Sequence, residues 1–130
     1  MVTISTVYVG VTALAIVANG FSGVAAALHF RPILPGMARA GVPESWLTFP
    51  IGTLKTAGAI GLLLGLLGVP WIGAAAAIGL ILFFTCALYT HIRASDYSPQ
   101  LGLAIGFLLL NVAGLSTVLS VAQLSVQGLR

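Results

Sequence analysis

Residues 52–84, GTLKTAGAIGLLLGLLGVPWIGAAAAIGLILFF, decide the fold of this chain. Lys55 is the only charged side chain in the stretch, and apolar residues dominate the rest. The tripeptide Gly68-Val69-Pro70 interrupts it, because glycine and proline end a helix and permit a tight reversal. A membrane-spanning helix needs about 20 mostly apolar residues. The stretch therefore predicts two spanning helices joined by a short turn.

The rest of the chain extends the same pattern in both directions. Hydrophobic residues make up 59% of the chain and charged residues 5%, with a mean hydropathy of +1.15. A soluble domain carries roughly a quarter of its residues as charged ones. Short connections make successive spans antiparallel neighbours. We therefore predict an all-α fold, a single membrane-embedded antiparallel four-helix bundle over residues 1–130, with spans at about 3–28, 48–67, 71–91 and 99–124.

The N-terminal run has no charged side chain before His29. A cleavable signal peptide would begin with a basic region followed by a shorter apolar core. We therefore expect this run to be a retained first span.

The segment between the first two spans, residues 29–46, contains three prolines and two glycines. These residues exclude a continuous helix, while the apolar side chains around them are unusual in a free loop. We predict an interfacial or partly re-entrant piece, anchored at headgroup level by Trp46, that covers any cavity at this end.

Arginine positions predict the orientation in the cell membrane. The side that holds the two longer loops carries Arg31, Arg39 and Arg93, whereas the side with the termini carries Arg130. Cytoplasmic loops are enriched in lysine and arginine. The pattern favours a multi-pass membrane protein with both termini outside.

Antiparallel threading brings most ionisable residues to the loop side. Lys55 lies about 10 Å inside the second span, given a helical rise of roughly 1.5 Å per residue. The residues gathered there are His29, Arg31, Glu44, Lys55, His91, Arg93 and Asp96. We predict a polar vestibule that opens to one face only.

Lys55 is the strongest candidate for a binding role. An ionisable group inside a span costs about 2.5–3.5 kcal/mol on insertion scales. The small residues one turn away, such as Gly52 and Ala59, indicate that it points into a helix interface. Glu44, Asp96 or an anionic ligand head group could neutralise it. The alternative is that the side chain extends to the headgroups and binds nothing.

The other polar candidates lie at span ends or at mid-membrane. His29 and His91, on separate helices at similar depth, meet the minimum requirement for haem, although interfacial roles are favoured at those positions. Asn19 and Asn111 both reach mid-membrane, where they either hydrogen-bond each other or a neighbouring helix, or line a cavity. No metal site is predicted.

Two Gly-x-x-x-Gly motifs, at residues 61–65 and 102–106, allow helices to approach closely. Such faces serve packing within the bundle or contact between copies in a homo-oligomer.

Several function classes lack their motifs. No carboxylate lies within a span, and no HExxH, nucleotide loop or nucleophile motif is present. The single cysteine, Cys86, cannot form an internal disulfide or a dithiol relay. The cations are too scattered for nucleic-acid binding. We expect no enzymatic activity from the chain alone.

The stretches GVPESW (41–46), GTLKTAGAIGLLLG (52–65) and YTHIRASD (89–96) resemble the DoxX-like family of membrane proteins. In this resemblance, Lys55 corresponds to the lysine of a Leu-Lys-x-x-Gly-Ala pattern. His91, Arg93 and Asp96 correspond to a His-x-Arg-x-x-Asp pattern. The resemblance implies a four-helix membrane protein. Relatives belong to oxidoreductase assemblies, as a thiosulfate:quinone oxidoreductase subunit or a partner of thiol-handling and superoxide-removing enzymes, or act more distantly as membrane chaperones. The better-known branch has a glutamate where this chain has Lys55.

We therefore predict an accessory or binding protein that holds a membrane lipid, quinone or similar amphiphile in its vestibule and supports a membrane complex. Its expected partner is a membrane or peripheral oxidoreductase. The predicted ligand-binding residues are Lys55, His91, His29, Arg93, Glu44, Asp96, Asn19 and Asn111. The alternatives are an oxidoreductase subunit that acts on quinone and a homo-oligomeric small-molecule transporter.

Overall fold

The chain folds into helices joined by turns in a computed structural model that describes residues 3–128. The helices are α1 (Ile4–Ala27), α2 (Leu34–Arg39), α3 (Thr53–Leu66), α4 (Pro70–Arg93) and α5 (Pro99–Gly128). Four segments are long and apolar enough to cross a membrane: α1, Glu44–Leu66, α4 and Pro99–Leu124. The predicted all-α fold and its four spans are confirmed for the described residues.

The four long helices pack in a ring. α1 contacts α3 and α5, and α4 contacts the same two helices on the other side. Neighbours run antiparallel: Gly52, just before α3, lies against Ala27 at the end of α1, and Gly65 near the end of α3 lies against Gly73 near the start of α4. The bundle therefore has a turn end, which contains residues 67–69, and a loop end, which contains residues 28–52 and 94–98.

Close helix contact explains one of the two glycine motifs. A Cβ atom built on Gly65 would lie 2.6 Å from the Cα atom of Gly73, and one on Gly61 would lie 2.6 Å from the Cβ atom of Ala76. Only glycine permits such a close approach of two helices. The resulting van der Waals contact favours helix association in lipid, where the hydrophobic effect does not. The motif at 61–65 thus packs α3 on α4. Cβ atoms built on Gly102 and Gly106 would meet no atom within 4 Å, so the motif at 102–106 makes no such contact.

The start of the second span differs from the prediction. A regular helix was expected from residue 48, but α3 begins at Thr53. A 3-10 turn (Glu44–Trp46) and a kinked segment (Leu47–Gly52) precede it, and Phe49 has extended backbone angles of φ −139° and ψ 131°. Pro50 follows in a cis peptide. Proline disfavours helical angles in the residue before it, which accounts for the kink.

The predicted broken segment, which we call the cap segment (residues 29–46), forms three short helical pieces. These are a 3-10 turn (Arg31–Ile33), α2 and the turn at Glu44–Trp46. A proline lies in the first turn of the first two pieces and just before the third, where its fixed φ and missing N–H are tolerated. The cap segment lies across the loop end of the bundle.

The arginines used to predict orientation are found where the threading placed them. Arg31, Arg39 and Arg93 are exposed at the loop end. Arg130 lies outside the described residues. The outside location of the termini stays a prediction.

Candidate functional site

A cavity of about 1100 Å³ begins beneath the cap segment at the loop end of the bundle and extends along α3 and α4 as far as Gly61 and Ile72. All four long helices and the cap segment contribute to its walls, which are mainly apolar. Its polar lining residues are Ser22, Lys55, Thr90, His91 and Gln100. Small-molecule sites in proteins are typically concave, mostly apolar and supplied with a few polar groups, as this one is.

The cavity is open along one side, between α3 and α4. Ala57 of α3 and Ala75, Gly79 and Cys86 of α4 line it and are also exposed on the outer surface of the bundle. These helices are both spanning segments, so the opening faces the lipid. We call this opening the α3–α4 groove.

The Lys55 ammonium lies inside the bundle. Its Nζ atom donates a hydrogen bond to the Ser22 hydroxyl at 2.6 Å. It also lies 5.6, 5.2 and 5.6 Å from the ring centroids of Phe83, Phe84 and Phe107. Aromatic faces attract a cation at such distances. An ammonium has three donors, so the bond to Ser22 leaves two of them for another acceptor.

Two local features place this ammonium. A Cβ atom on Gly23 would come within 2.9 Å of the Lys55 Cβ, so glycine at this position lets α1 and α3 approach and puts Ser22 beside the lysine. On the far side, the rings of Phe84 and Phe107 stack with centroids 5.0 Å apart and planes 4° from parallel. Together these groups hold the ammonium inside the bundle.

The predicted protein counter-ions of Lys55 bind elsewhere. Glu44 pairs with His29, and Asp96 pairs with His91 and Arg39. Within the described residues, neither carboxylate lies within 4 Å of the Lys55 ammonium. This corrects the expectation that Glu44 or Asp96 neutralises the lysine, because each carboxylate has nearer partners: His29 for Glu44, and His91 and Arg39 for Asp96.

His29 joins the end of α1 to the cap segment. Its φ of 54° is left-handed, and the His29 and Phe30 amides donate to Ala26 and Ala25, which is the hydrogen-bond pattern of a Schellman helix end. The ring is bonded through Nδ1 to Glu44 at 3.2 Å and through Nε2 to Thr48 at 3.0 Å. Both ring nitrogens are therefore occupied, which leaves neither for a ligand in this conformation.

The His91–Asp96 pair forms at the corresponding end of α4. Ser95 has a φ of 53°, and the Asp96 amide donates to the His91 carbonyl at 2.8 Å, again in the Schellman pattern. The turn brings the Asp96 carboxylate to His91 Nδ1 at 2.9 Å, with both side chains buried. Hydrogen bonds from Ser98 and from His91 outweigh the effect of burial and lower the pKa of Asp96.

Asp96 also ties the cap segment to the bundle. The Arg39 guanidinium lies 3.9 Å from its second carboxylate oxygen and donates to Gln100 at 3.1 Å. Gly36 of α2 packs so closely on Gln100 that a Cβ atom there would lie 2.9 Å from its side chain. The position of α2 over the cavity therefore depends on the contacts that Arg39 and Gly36 make with Asp96 and Gln100.

The two mid-membrane asparagines bind each other. Asn19 donates to the Asn111 side chain at 3.0 Å, and Asn111 donates in return at 3.4 Å. Each amide also donates to a carbonyl one turn earlier in its own helix, Ala15 for Asn19 and Phe107 for Asn111. The pair is buried and lies outside the cavity lining.

The sequence profile of the DoxX-like family matches residues 10–114, which is most of the chain. The chain belongs to the DoxX-like family. No curated protein and no solved structure matches it. In this DoxX-like protein the matched range contains all four long helices in part or whole, together with Lys55 and the His91–Asp96 pair.

Two of the eight predicted site residues of this DoxX-like protein, Lys55 and His91, line the cavity. The other six lie beside it or away from it: His29, Glu44 and Asp96 in the loop-end clusters, Arg93 exposed at the end of α4, and Asn19 and Asn111 in their own pair. The structure thus corrects the picture of one polar vestibule. It shows an apolar cavity bordered by separate hydrogen-bonded clusters.

Sequence reasoning missed the residues that contact Lys55. Ser22 is the one with a readable signal, since it is a hydroxyl in an apolar span, seven residues before His29. Phe83, Phe84 and Phe107 have no such signal, because phenylalanine in a spanning helix is ordinary. Their role depends on which faces of α4 and α5 meet.

Proposed function

We propose that this DoxX-like membrane protein binds an amphiphile, such as a lipid or a quinone, in the loop-end cavity. The apolar part of the ligand occupies the cavity and the α3–α4 groove, and its polar head accepts hydrogen bonds from Lys55. The location of the Lys55 ammonium, inside an apolar cavity with two donors unused, is the observation that carries the proposal.

The energetic cost of this arrangement supports a binding role. A lysine within a span costs about 2.5–3.5 kcal/mol. The Ser22 hydrogen bond and the aromatic rings offset part of that cost, but an apolar residue at position 55 would avoid it altogether. A ligand that completes the hydrogen bonding of the ammonium provides a reason to retain the charge.

Native mass spectrometry of the protein purified in mild detergent tests this proposal. We expect a co-purifying amphiphile, and we expect Lys55→Met to reduce its occupancy at least tenfold. Arg93→Gln is the matched control, because it also removes a loop-end cation but one that is exposed and outside the cavity lining. Equal occupancy in both variants would refute the role of Lys55.

The proposed accessory role, support of a membrane complex, involves the whole loop end of the bundle. We propose that the protein supports a membrane complex through the cap segment, which covers the cavity and joins both clusters at its edge. In this arrangement the loop end faces the cytoplasm and the termini face outside. Glu44→Gln and Arg39→Gln would then weaken assembly with an oxidoreductase partner, as measured by blue native electrophoresis, whereas Gly102→Ala on the outer face of α5 would not.

A second candidate function is that of a quinone-holding subunit in an oxidoreductase assembly whose partner subunit supplies the electrons. The His91–Asp96 pair favours it, because Asp96 occupies Nδ1 and leaves Nε2 without a partner among the described residues. Lys55 and His91 would then contact the two ends of a quinone head. Binding of decylubiquinone that is lost in both Lys55→Met and His91→Phe would support this function.

A further inference from the structure

Among the described residues, Lys55 is the one lysine or arginine in the cavity wall, and neither acidic side chain lies within 4 Å of its ammonium. The chain has two acidic residues, Glu44 and Asp96. Both are described, and both are held by other partners. Arg31, Arg39 and Arg93 are outside the cavity lining. A cavity of this kind is electrically complementary to a ligand that brings a single negative charge.

We propose that the occupant is a single-chain amphiphile with a monoanionic head, specifically a long-chain carboxylate. This inference rests on the proposed function and narrows it. One carboxylate oxygen accepts from the Lys55 ammonium, and the other accepts from the Ser22 hydroxyl, which accepts from Lys55 and has no acceptor of its own among the described residues.

Charge distinguishes this head from the alternatives. A neutral quinone would leave the buried ammonium unbalanced, and an amine head would repel it. A phosphate monoester carries nearly two negative charges at neutral pH, for which the cavity wall offers one cation. A carboxylate matches the charge and accepts hydrogen bonds at two oxygens that lie side by side.

We expect the groove to hold one hydrocarbon chain. Small residues form its floor and rim, namely Ala57, Gly58, Ala75, Ala76 and Gly79. The contact between Gly61 and Ala76 narrows it toward the turn end. Between Ala75 and Cys86 the groove runs about 16 Å along α4, from the helical rise of roughly 1.5 Å per residue. A single acyl chain fits this shape, with its far end reaching the surrounding lipid.

The substitution Gly79→Leu tests the groove. A Cβ atom on Gly79 meets no atom within 4 Å, so leucine there fills the groove without displacing the helices. Gly106→Leu is the matched control, since Gly106 is equally open but belongs to the outer face of α5. The two variants differ in whether the added side chain lies in the proposed path of the ligand tail.

Binding to the delipidated protein in detergent, measured by native mass spectrometry, tests the head group. The probes are palmitate, methyl palmitate, hexadecylamine, decylubiquinone and a two-chain phosphatidylglycerol. We expect palmitate to bind the unmodified protein and Gly106→Leu equally, and at least tenfold more weakly to Lys55→Met and Gly79→Leu. Methyl palmitate and hexadecylamine should bind at least tenfold more weakly than palmitate.

The outcomes separate this inference from the broader proposal. If decylubiquinone or methyl palmitate binds as tightly as palmitate and with the same dependence on Lys55, the monoanion is refuted while cavity binding stands. Preferential binding of phosphatidylglycerol would refute the single chain. Palmitate binding that is unchanged in Lys55→Met would refute the head position. Failure of all five probes to bind would overturn the proposed function itself.

Discussion

Both halves of the bundle contain polar side chains inside the membrane, but they differ in whether the chain itself satisfies the hydrogen bonds of those side chains. In the closed half, the helices touch through Gly65 and Gly73 near the turn end, and the Asn19–Asn111 pair at mid-membrane satisfies its own hydrogen bonds. In the loop half the helices surround a cavity that continues into the α3–α4 groove, and two donors of the Lys55 ammonium have no acceptor among the described residues.

The difference shows how a structural polar residue can be distinguished from a binding one in a membrane helix. Both kinds are costly in lipid, and both require partners. The asparagines find complementary partners within the chain, so a ligand would add nothing. Within the part of the chain that the structure describes, Lys55 has one hydrogen-bond acceptor and three aromatic rings, so a ligand can supply further acceptors.

The largest effect is expected in the closed half. Gly65→Ala places a methyl group against the backbone of Gly73, which cannot move without separating α3 from α4. Overpacking of this kind costs about 3 kcal/mol. Thermal unfolding in detergent should show a lower midpoint for Gly65→Ala and an unchanged midpoint for Gly106→Ala, which is the same substitution in open space. Equal midpoints would show that the helix contact is not tight.

The asparagine pair should give the next largest effect. Asn19→Leu leaves the Asn111 side chain with the Phe107 carbonyl as its remaining described partner and should destabilise the protein by about 1–2 kcal/mol. The double variant Asn19→Leu/Asn111→Leu should recover part of the loss, because no buried amide is then left unpaired. A double-mutant cycle of unfolding free energies measures this coupling. Strict additivity would contradict the idea of a closed pair.

The corresponding change in the loop half should have the opposite sign. Lys55→Met removes a buried charge, at the loss of one hydrogen bond and the aromatic contacts, and should stabilise the ligand-free protein by about 1 kcal/mol. The measurement is the unfolding midpoint after delipidation, with Arg93→Gln expected to change it little. A destabilised Lys55→Met variant would place lysine and asparagine in the same structural class.

Much of the fold could be predicted from the sequence, because spans depend on hydropathy and length. The turn at Gly68-Val69-Pro70 and the four apolar runs required no tertiary information. The kink at Phe49 was missed even though Pro50 is visible in the sequence, since the apolar run continues through it. The fourth span was predicted to end near residue 124, which agrees with the apolar spanning segment Pro99–Leu124, and helix α5 itself continues to Gly128.

The candidate site was less predictable, because depth along a helix can be read from sequence but direction around it cannot. Threading placed Lys55, His91 and Asp96 correctly at the loop end. It could not show that a left-handed Ser95 turns Asp96 back onto His91, or that Lys55 points at Phe84 and away from both carboxylates. Those facts depend on which helix faces meet.

The smallest expected effect is a pH dependence of stability that arises where the cap segment meets the cavity. The folded-state pKa of Asp96 is lowered, first by its hydrogen bond with Ser98 and then by His91. A carboxyl with a lowered folded-state pKa contributes stability that is present above its unfolded pKa of about 4. That contribution is lost as the pH falls from about 4 through the lower folded value.

Asp96→Asn should therefore flatten the acid side of the stability profile, measured as the unfolding midpoint between neutral pH and about pH 3. The comparison is Glu44→Gln, which removes the other carboxylate of the chain from an exposed pair with His29. Because Asp96 joins His91 to Arg39 of the cap segment, its protonation should also weaken the closure over the cavity. If Asp96→Asn still loses stability at acid pH and Glu44→Gln does not, then the pH-dependent closure of the cap segment depends on the His29–Glu44 pair instead.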